Sequence, residues 1–177
     1  MSKLKEEKIF GSVVYSGIFL EIQKDLVRLP DGAQVEREYI HHPGAVAIVA
    51  LTDDGRVILE RQHRYPLGRD FVEIPAGKLE PGEDHLETGK RELLEETGYI
   101  AAQWTCLGLI HNAIGYSDEA IELWLATGLE KREAKLDAGE FLEVFTLPFA
   151  QALAMAADGR ISDVKTIIGL YWASSRR

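Results

Sequence analysis

The sequence predicts an α/β fold that is preceded by a small antiparallel sheet at the N-terminus. Three features indicate this. The segment from Ile9 to Ile40 alternates turns with stretches rich in β-branched and aromatic residues. Ala45–Leu51 is a nearly continuous apolar run, which is typical of a strand buried on both faces. A helix with clear start and stop signals is expected from about Glu83 to Thr97, and further strand-like segments follow it.

Composition and charge narrow the classes of function. A chain of 177 residues is expected to form one domain with a small appendage. It carries 29 acidic residues against 20 Lys plus Arg, a formal net charge of -9, so a nucleic-acid partner is not expected. The single Cys106 excludes an internal disulfide and a cysteine-built zinc site. No apolar run approaches the roughly 18 residues of a membrane span, and the N-terminus lacks a signal-peptide core. We therefore expect a cytoplasmic protein without a membrane partner.

The N-terminal region is predicted to form three strands: Phe10–Tyr15, Phe19–Leu29 and Gln34–Ile40. Turns are expected at residues 16–17 and 30–32, where Gly and Pro interrupt the pattern. A sheet of about thirty residues is marginal alone. We therefore expect residues 1–42 to form a subdomain that packs on another surface, such as a second subunit, and residues 43–177 to form the main domain.

The rest of the chain is predicted to alternate strands with three helices. The predicted strands are Ala45–Leu51, Arg56–Glu60, Phe71–Ile74, Ala102–Leu109, Ala120–Ala126 and Leu142–Leu147. A polar loop at residues 111–119 could close over a site. Pro148 is expected in the first turn of a helix that runs to about Ala157. Asp163 is expected to cap the last helix, whose core face would carry Val164, Ile167, Ile168 and Tyr171.

The central helix carries an unusual cluster of acids. Asp84 followed by Glu87 is a capping-box pattern, and Gly98 is a natural left-handed stop. Glu92, Glu95 and Glu96 lie close together on this helix, where like charges cost about 0.2–0.5 kcal/mol per pair. They also lie near its negative end. Arg91 can reach Glu95, but it neutralises only part of the cluster. A divalent cation with oxygen ligands would compensate; the alternative is a solvated acidic surface helix.

The spacing around this helix resembles a known family motif. Gly77 is followed after five residues by Glu83, and after seven more by Arg91-Glu92-Leu93-Leu94-Glu95-Glu96-Thr97-Gly98. This resembles the Nudix box, and only Tyr99 departs, because it stands at the final aliphatic position. The resemblance implies a Nudix-type α/β/α sandwich with a mixed sheet.

Segments outside the box resemble the ADP-ribose pyrophosphatase branch of that family. They are Arg37-Glu38, Arg64, Ile74–Gly77, Glu140–Val144 and Asp163–Thr166. In that branch an N-terminal sheet is exchanged across a homodimer, so the resemblance implies a homodimer formed through this sheet. Ile114 stands where the branch often carries proline. GDP-mannose and other nucleoside diphosphate sugars therefore stay open beside ADP-ribose as substrates.

The resemblance also implies roles for individual residues. The metal ligands would be Glu92, Glu96, Glu140 and the carbonyl of Ala76, with magnesium as the ion, or manganese in its place. The catalytic residues would be Glu95, Glu140 and Arg91. Substrate contacts would come from Arg37, Arg64, Glu73 and Glu119. Asp137 and Glu143 are the competing candidates for the role of Glu140.

The implied reaction is hydrolysis of a pyrophosphate linkage. Metal ions neutralise the charge that repels an incoming anion and lower the pKa of water. The first expected substrate is ADP-ribose, with AMP and ribose 5-phosphate as products. The alternative from another class is a Nudix-fold module that binds a nucleotide and regulates without cutting it, since fold alone does not determine function.

Overall fold

A computed structural model describes residues 3–136, 139 and 141–176. The chain divides into two compact units. The first comprises Met1–Pro43 and His111–Ala120, and the second comprises Gly44–Ile110 and Ile121–Arg177. The segment 111–120, which the predicted division placed with the main domain, is thus part of the N-terminal unit.

The first unit is built on a three-stranded antiparallel sheet in the order β1-β2-β3. Its strands are β1 (Glu7–Ser16), β2 (Glu21–Arg28) and β3 (Gln34–His41). The segment 111–120 joins this unit because Ser117 forms a parallel bridge with Ile40. The Ile40 N–H also donates to the Tyr116 carbonyl at 2.9 Å. A loop that is distant in sequence therefore extends the small sheet.

The second unit contains two sheets and three helices. One sheet has the order β10-β5-β6 and the other β7-β4-β9-β8. The strands are β4 (Ala45–Ala50), β5 (Arg56–Arg64), β6 (Arg69–Glu73), β7 (Ala76–Lys78), β8 (Tyr99–His111), β9 (Ala120–Lys131) and β10 (Leu142–Pro148). The helices are α1 (His85–Thr97), α2 (Phe149–Ala157) and α3 (Val164–Ser174). No helix within the described residues is long and apolar enough to cross a membrane.

Strand β4 forms the centre of the second unit, and all six of its residues are buried. Its side chains alternate between two apolar clusters, as a period of two requires. Val46 and Ile48 join the cluster that includes Leu93 of α1. Ala47 and Val49 join the cluster that includes residues of α2 and α3. Helices therefore cover both faces, which confirms the predicted α/β/α sandwich. The mixed sheet is also confirmed, since β4 pairs parallel with β9 and antiparallel with β7.

The predicted core face of α3 was partly wrong. Val164 and Tyr171 are 43% and 46% exposed. The buried residues of this helix are Lys165, Thr166, Gly169, Leu170 and Ala173. Gly169 explains why the buried face of α3 differs from the predicted one. A Cβ at Gly169 would lie only 3.0 Å from side-chain atoms of both Ile74 and Val49. The helix therefore approaches the sheet on its smallest residue. Ile167 and Ile168 pack at the edge of the core.

Candidate active site

Helix α1 begins and ends as its local sequence predicts. The Asp84 carboxylate accepts from the N–H groups of Leu86 and Glu87, at 2.9 and 3.3 Å. Gly98 adopts the left-handed conformation with φ 69°, as a C-terminal stop requires. Lys131 on β9 donates to the Thr97 carbonyl at 2.9 Å and lies 4.2 Å from the centre of the Tyr99 ring. This cation at the negative end of the helix dipole partly offsets the acids of the last turns.

Three acids of the motif, Glu83, Glu92 and Glu95, bind the guanidinium of Arg91. Its Nε and Nη2 each donate to one carboxylate oxygen of Glu83, both at 3.0 Å. Its Nη1 donates to Glu92 at 2.9 Å and to Glu95 at 3.0 Å, which confirms the predicted contact with Glu95. The hydrogen bonds from Arg91 lower the pKa of Glu83 to about 2. Glu83 lies just outside α1 and fixes Arg91, which in turn orients the acids on the helix.

The segment 73–77, which runs from the last residue of β6 into β7, positions the other side of this acid cluster. The Ala76 N–H donates to Glu96 Oε2 at 3.1 Å. A Cβ at Gly77 would overlap the Glu92 carboxylate, so only glycine admits this close approach. The segment is itself held in place, because Ile74 N–H donates to Thr166 at 2.9 Å and the Pro75 carbonyl accepts from Ile48 at 2.8 Å. One short stretch thus fixes Glu92 and Glu96 against the core.

Arg64 is fixed by a buried carboxylate in the same unit. Its Nε and Nη2 donate to the two oxygens of Glu73, each at 2.7 Å. Lys165 of α3 donates to the same Glu73 carboxylate. Burial alone would raise the pKa of Glu73, but the hydrogen bonds from Arg64 and the charge of Lys165 outweigh it, and the net pKa lies below its usual range. Glu73, predicted as a substrate contact, therefore binds two cations of its own chain.

Arg64 also interacts electrostatically with Glu96 of the acid cluster. The hydrogen bonds to Glu73 raise the pKa of Arg64 most, and the charges of Asp163 and Glu96 raise it further. Arg64 is 45% exposed in its side chain, whereas the Glu73 side chain is only 5% exposed. A guanidinium on a buried anchor, with its side chain 45% exposed, is suited to bind a phosphate oxygen.

The donor chemistry of the acid cluster suits a hard divalent cation. Glu83, Glu92, Glu95 and Glu96 supply four carboxylates against the one charge of Arg91, and Glu96 is 6% exposed. Carboxylate oxygens are the ligands that magnesium prefers. Within residues 3–136, 139 and 141–176, no set of three or more His, Cys, Asp or Glu side chains has metal-site geometry as it stands. The Ala76 N–H already donates to Glu96, one of the three predicted carboxylate ligands.

Two predicted substrate contacts belong to the first unit. Arg37 on β3 forms a two-pronged pair with Glu6, with distances of 3.0 and 2.8 Å. Glu119 accepts from the side-chain amide of Asn112 at 3.2 Å, and its other oxygen lies 3.8 Å from His42 Nε2. Both side chains therefore have partners within the N-terminal unit.

Two predicted residues, Glu140 and its competitor Asp137, lie outside the described residues. The third candidate, Glu143, pairs with Arg61 at 2.8 Å and its side chain is 72% exposed. Lys165 was missed by sequence reasoning, although it lies within a segment that resembles the family. The available signal was its position in the first turn of a capped helix, where a cation is disfavoured.

The chain is similar to known proteins along most of its length. The model of the NUDIX domain matches residues 41–167. The methanol dehydrogenase activator of Bacillus methanolicus is 43% identical over 175 residues, covering 97% of this chain and 95% of its own. The ADP-ribose pyrophosphatase of Bacillus subtilis is 40% identical over 176 residues, covering 97% and 94%. A crystal structure of an ADP compounds hydrolase shares the fold, with a TM-score of 0.85 at 20% identity over 99% of this chain and 95% of that one.

Proposed function

The chain belongs to the NUDIX family, and we propose that it hydrolyses the pyrophosphate bond of a nucleoside diphosphate sugar. ADP-ribose is the first substrate, giving AMP and ribose 5-phosphate. The observation that carries the proposal is the pair Glu92 and Glu96: the Glu92 carboxylate lies directly against Gly77, and the Ala76 N–H donates to Glu96. The ADP-ribose pyrophosphatase relative, which spans almost the whole chain, supports the choice of substrate.

A divalent ion is part of this proposal, as in Nudix hydrolases generally, and magnesium is the first choice, with manganese as its substitute. Glu92, Glu96 and the Ala76 carbonyl would hold it, with Glu140 as a further ligand. When bound, it would neutralise the pyrophosphate and make water more acidic. The acid cluster has an excess of three negative charges over Arg91, and this excess supports the assignment.

The chain's own residues have three tasks in the reaction. Arg64, anchored by Glu73, would bind an oxygen of the pyrophosphate, and Arg37 and Glu119 would contact the nucleoside or sugar. An acidic side chain, as carboxylate, would take a proton from the attacking water. The water oxygen would bond to phosphorus as the bridging P–O bond breaks. Glu140 and Glu95 are the candidates for this base. Arg91 does not need to touch substrate, because its hydrogen bonds already orient Glu92 and Glu95.

A substrate panel tests the proposal. ADP-ribose, GDP-mannose, UDP-glucose and ATP would be incubated with the protein in magnesium, in manganese and in EDTA, and products identified by mass. We expect ADP-ribose to be cleaved fastest, only with metal, into AMP and ribose 5-phosphate. Preference for GDP-mannose would keep the reaction class and change the substrate. Cleavage of no nucleoside diphosphate sugar would refute the proposal.

A second candidate function is activation of another enzyme. The relative from Bacillus methanolicus, a methanol dehydrogenase activator, favours it because the similarity extends along nearly the whole chain. The two functions differ in a simple measurement. An enzyme turns over a nucleoside diphosphate sugar when it is the only protein present, whereas a purely regulatory module binds the nucleotide without releasing products.

Assembly as a homodimer, in the cytoplasm, completes the proposal. Apolar side chains on β1 and the following turn are exposed, including Phe10 at 67% and Phe19 at 66%. Exposed apolar surface of this kind marks an interaction site, and a two-fold pairing of the N-terminal sheets would cover it. Sedimentation at micromolar concentration should give a dimer. A monomer at all concentrations would exclude this assembly.

A further inference from the structure

Lys165 is a charged residue in a costly position. It lies in the first turn of α3, where the helix dipole disfavours a cation, and its side chain is only 11% exposed. Its ammonium group donates to Glu73 and lies 3.1 Å from Asp163, the N-cap of the same helix. Asp163 also accepts from the Thr166 N–H at 3.0 Å. The ammonium is thus desolvated and bound by two carboxylates.

Stability alone is a weak explanation for this arrangement. Burying two opposite charges costs desolvation energy that their attraction often fails to recover, and apolar replacements of buried pairs are frequently neutral or stabilising. Thr166 already joins α3 to the sheet through its bond with Ile74. A methionine at position 165 could fill the same volume beside it. The charge of Lys165 therefore requires another reason.

The geometry of Glu73 supplies that reason. Its Oε2 atom accepts from both Lys165 Nζ and Arg64 Nη2, and its Oε1 atom accepts from Arg64 Nε. Lys165 thus fixes the orientation of the Glu73 carboxylate. That carboxylate in turn sets the plane of the Arg64 guanidinium. It also balances charge: Arg64 and Lys165 carry two positive charges, and Glu73 and Asp163 carry two negative ones. Without Lys165 the Glu73 carboxylate has Arg64 as its remaining cation in this group, so more of the guanidinium's charge is neutralised and less is available for a phosphate oxygen.

We propose that Lys165 is a positioning residue for substrate binding, which acts through Glu73 to hold the Arg64 guanidinium in place and to keep its charge available for a phosphate oxygen. This role rests on the proposed function, because it assigns Arg64 to the pyrophosphate. Lys165 itself does not need to touch the substrate. Its effect therefore exists only while Arg64 is present.

A double-mutant cycle on ADP-ribose hydrolysis tests this dependence. The single variants Lys165→Met and Arg64→Ala are compared with the double variant. We expect Lys165→Met to lower kcat/KM about tenfold, mainly through KM, because the anion-binding charge is weakened. In the Arg64→Ala background the Lys165→Met change should lower kcat/KM by less than about twofold. Equal factors in both backgrounds would overturn the proposal.

A matched control and a second variant secure the cycle. Arg56→Met removes another partly buried cation, which lies on the same strand as Arg64 and whose Nε and Nη2 atoms donate to the hydroxyl and carbonyl of Thr146, each at 2.8 Å. It should leave KM unchanged. If Lys165→Met does not fold, Glu73→Gln keeps the side-chain volume and must show the same dependence on Arg64. Full additivity of that variant with Arg64→Ala would also reject the proposal.

A readout without turnover separates this inference from the proposed function. In proton–nitrogen NMR spectra the Arg64 Nε–H signal, identified by its loss in Arg64→Lys, should be sharp in the wild type and in Arg56→Met. It should shift and broaden in Lys165→Met. An unchanged signal would overturn the positioning role even in an active enzyme. An inactive wild type would refute the proposed function and leave the NMR result to decide the role of Lys165.

Discussion

Substitution of Gly77 by alanine would displace the Glu92 carboxylate, a proposed metal ligand, without unfolding the protein. The added Cβ would overlap the Cγ, Cδ and Oε1 atoms of Glu92, so the carboxylate must move on the order of an ångström to regain normal contact. Overpacking costs about 1–3 kcal/mol, which a domain of ordinary stability, about 5–15 kcal/mol, tolerates. A misplacement of about 1 Å at a reacting centre can cost about 10²-fold in rate. We therefore expect Gly77→Ala to stay folded and to lose at least that much kcat.

The control for this prediction is Gly89, which lies on the same helix as Glu92. A Cβ at Gly89 would meet Trp104 at 3.5 Å and Ile48 at 3.8 Å, which are ordinary contacts. Gly89→Ala should therefore gain about 0.5–1 kcal/mol from helix propensity and leave turnover unchanged. The assay is steady-state hydrolysis over a magnesium titration, with melting temperatures measured in EDTA. Wild-type kcat and unchanged magnesium dependence in Gly77→Ala would refute the assignment of Glu92.

Three further predictions concern charges. Glu96→Gln should lower kcat by at least about 10²-fold and keep or raise the melting temperature in EDTA, since repulsion in the cluster is relieved; near-normal turnover at saturating magnesium would exclude a metal role. Glu140→Gln should lower kcat with KM within a few-fold, and equal activity would move the base to another acid. The hydrogen bond to Asp118, 2.6 Å long, raises the pKa of His41. The stabilisation from this bond should therefore be complete below the pKa of histidine in the unfolded chain, about 6.5, and should fade as pH rises through the raised pKa of the folded state. An unchanged pH dependence of the melting temperature in His41→Asn would contradict this.

Local chemistry made much of the site predictable. The caps of α1 depend on Asp84 and Gly98, which act within a few residues of the helix ends, and both have the predicted conformation. The contact between Arg91 and Glu95 follows from helical spacing, and it is present at 3.0 Å. The apolar run of β4 predicted a strand buried on both faces. In the first two cases the partners are close in sequence, and in the third the apolar character of the run itself carries the signal.

The features that were missed depend on partners far along the chain. Strand β7 has only three residues, and it exists because Ala76 and Lys78 pair with β4. The face of α3 was misjudged because Gly169, rather than the larger apolar residues, makes the closest approach to the sheet. Lys165 reads as a surface residue until Glu73, 92 positions away, is placed beside it. Helical periodicity cannot supply such long-range information.

Hydrolysis of ADP-ribose by the purified protein in magnesium, compared with EDTA and with Glu96→Gln, tests the central claim most directly. Phosphatase-sensitive phosphate would be followed with time, and the products would be separated by chromatography. The proposed mechanism predicts equal amounts of AMP and ribose 5-phosphate from the wild type in magnesium, and loss of product formation in EDTA and in Glu96→Gln. Undiminished hydrolysis in EDTA, or no hydrolysis of ADP-ribose by the wild type at any magnesium concentration, would contradict it.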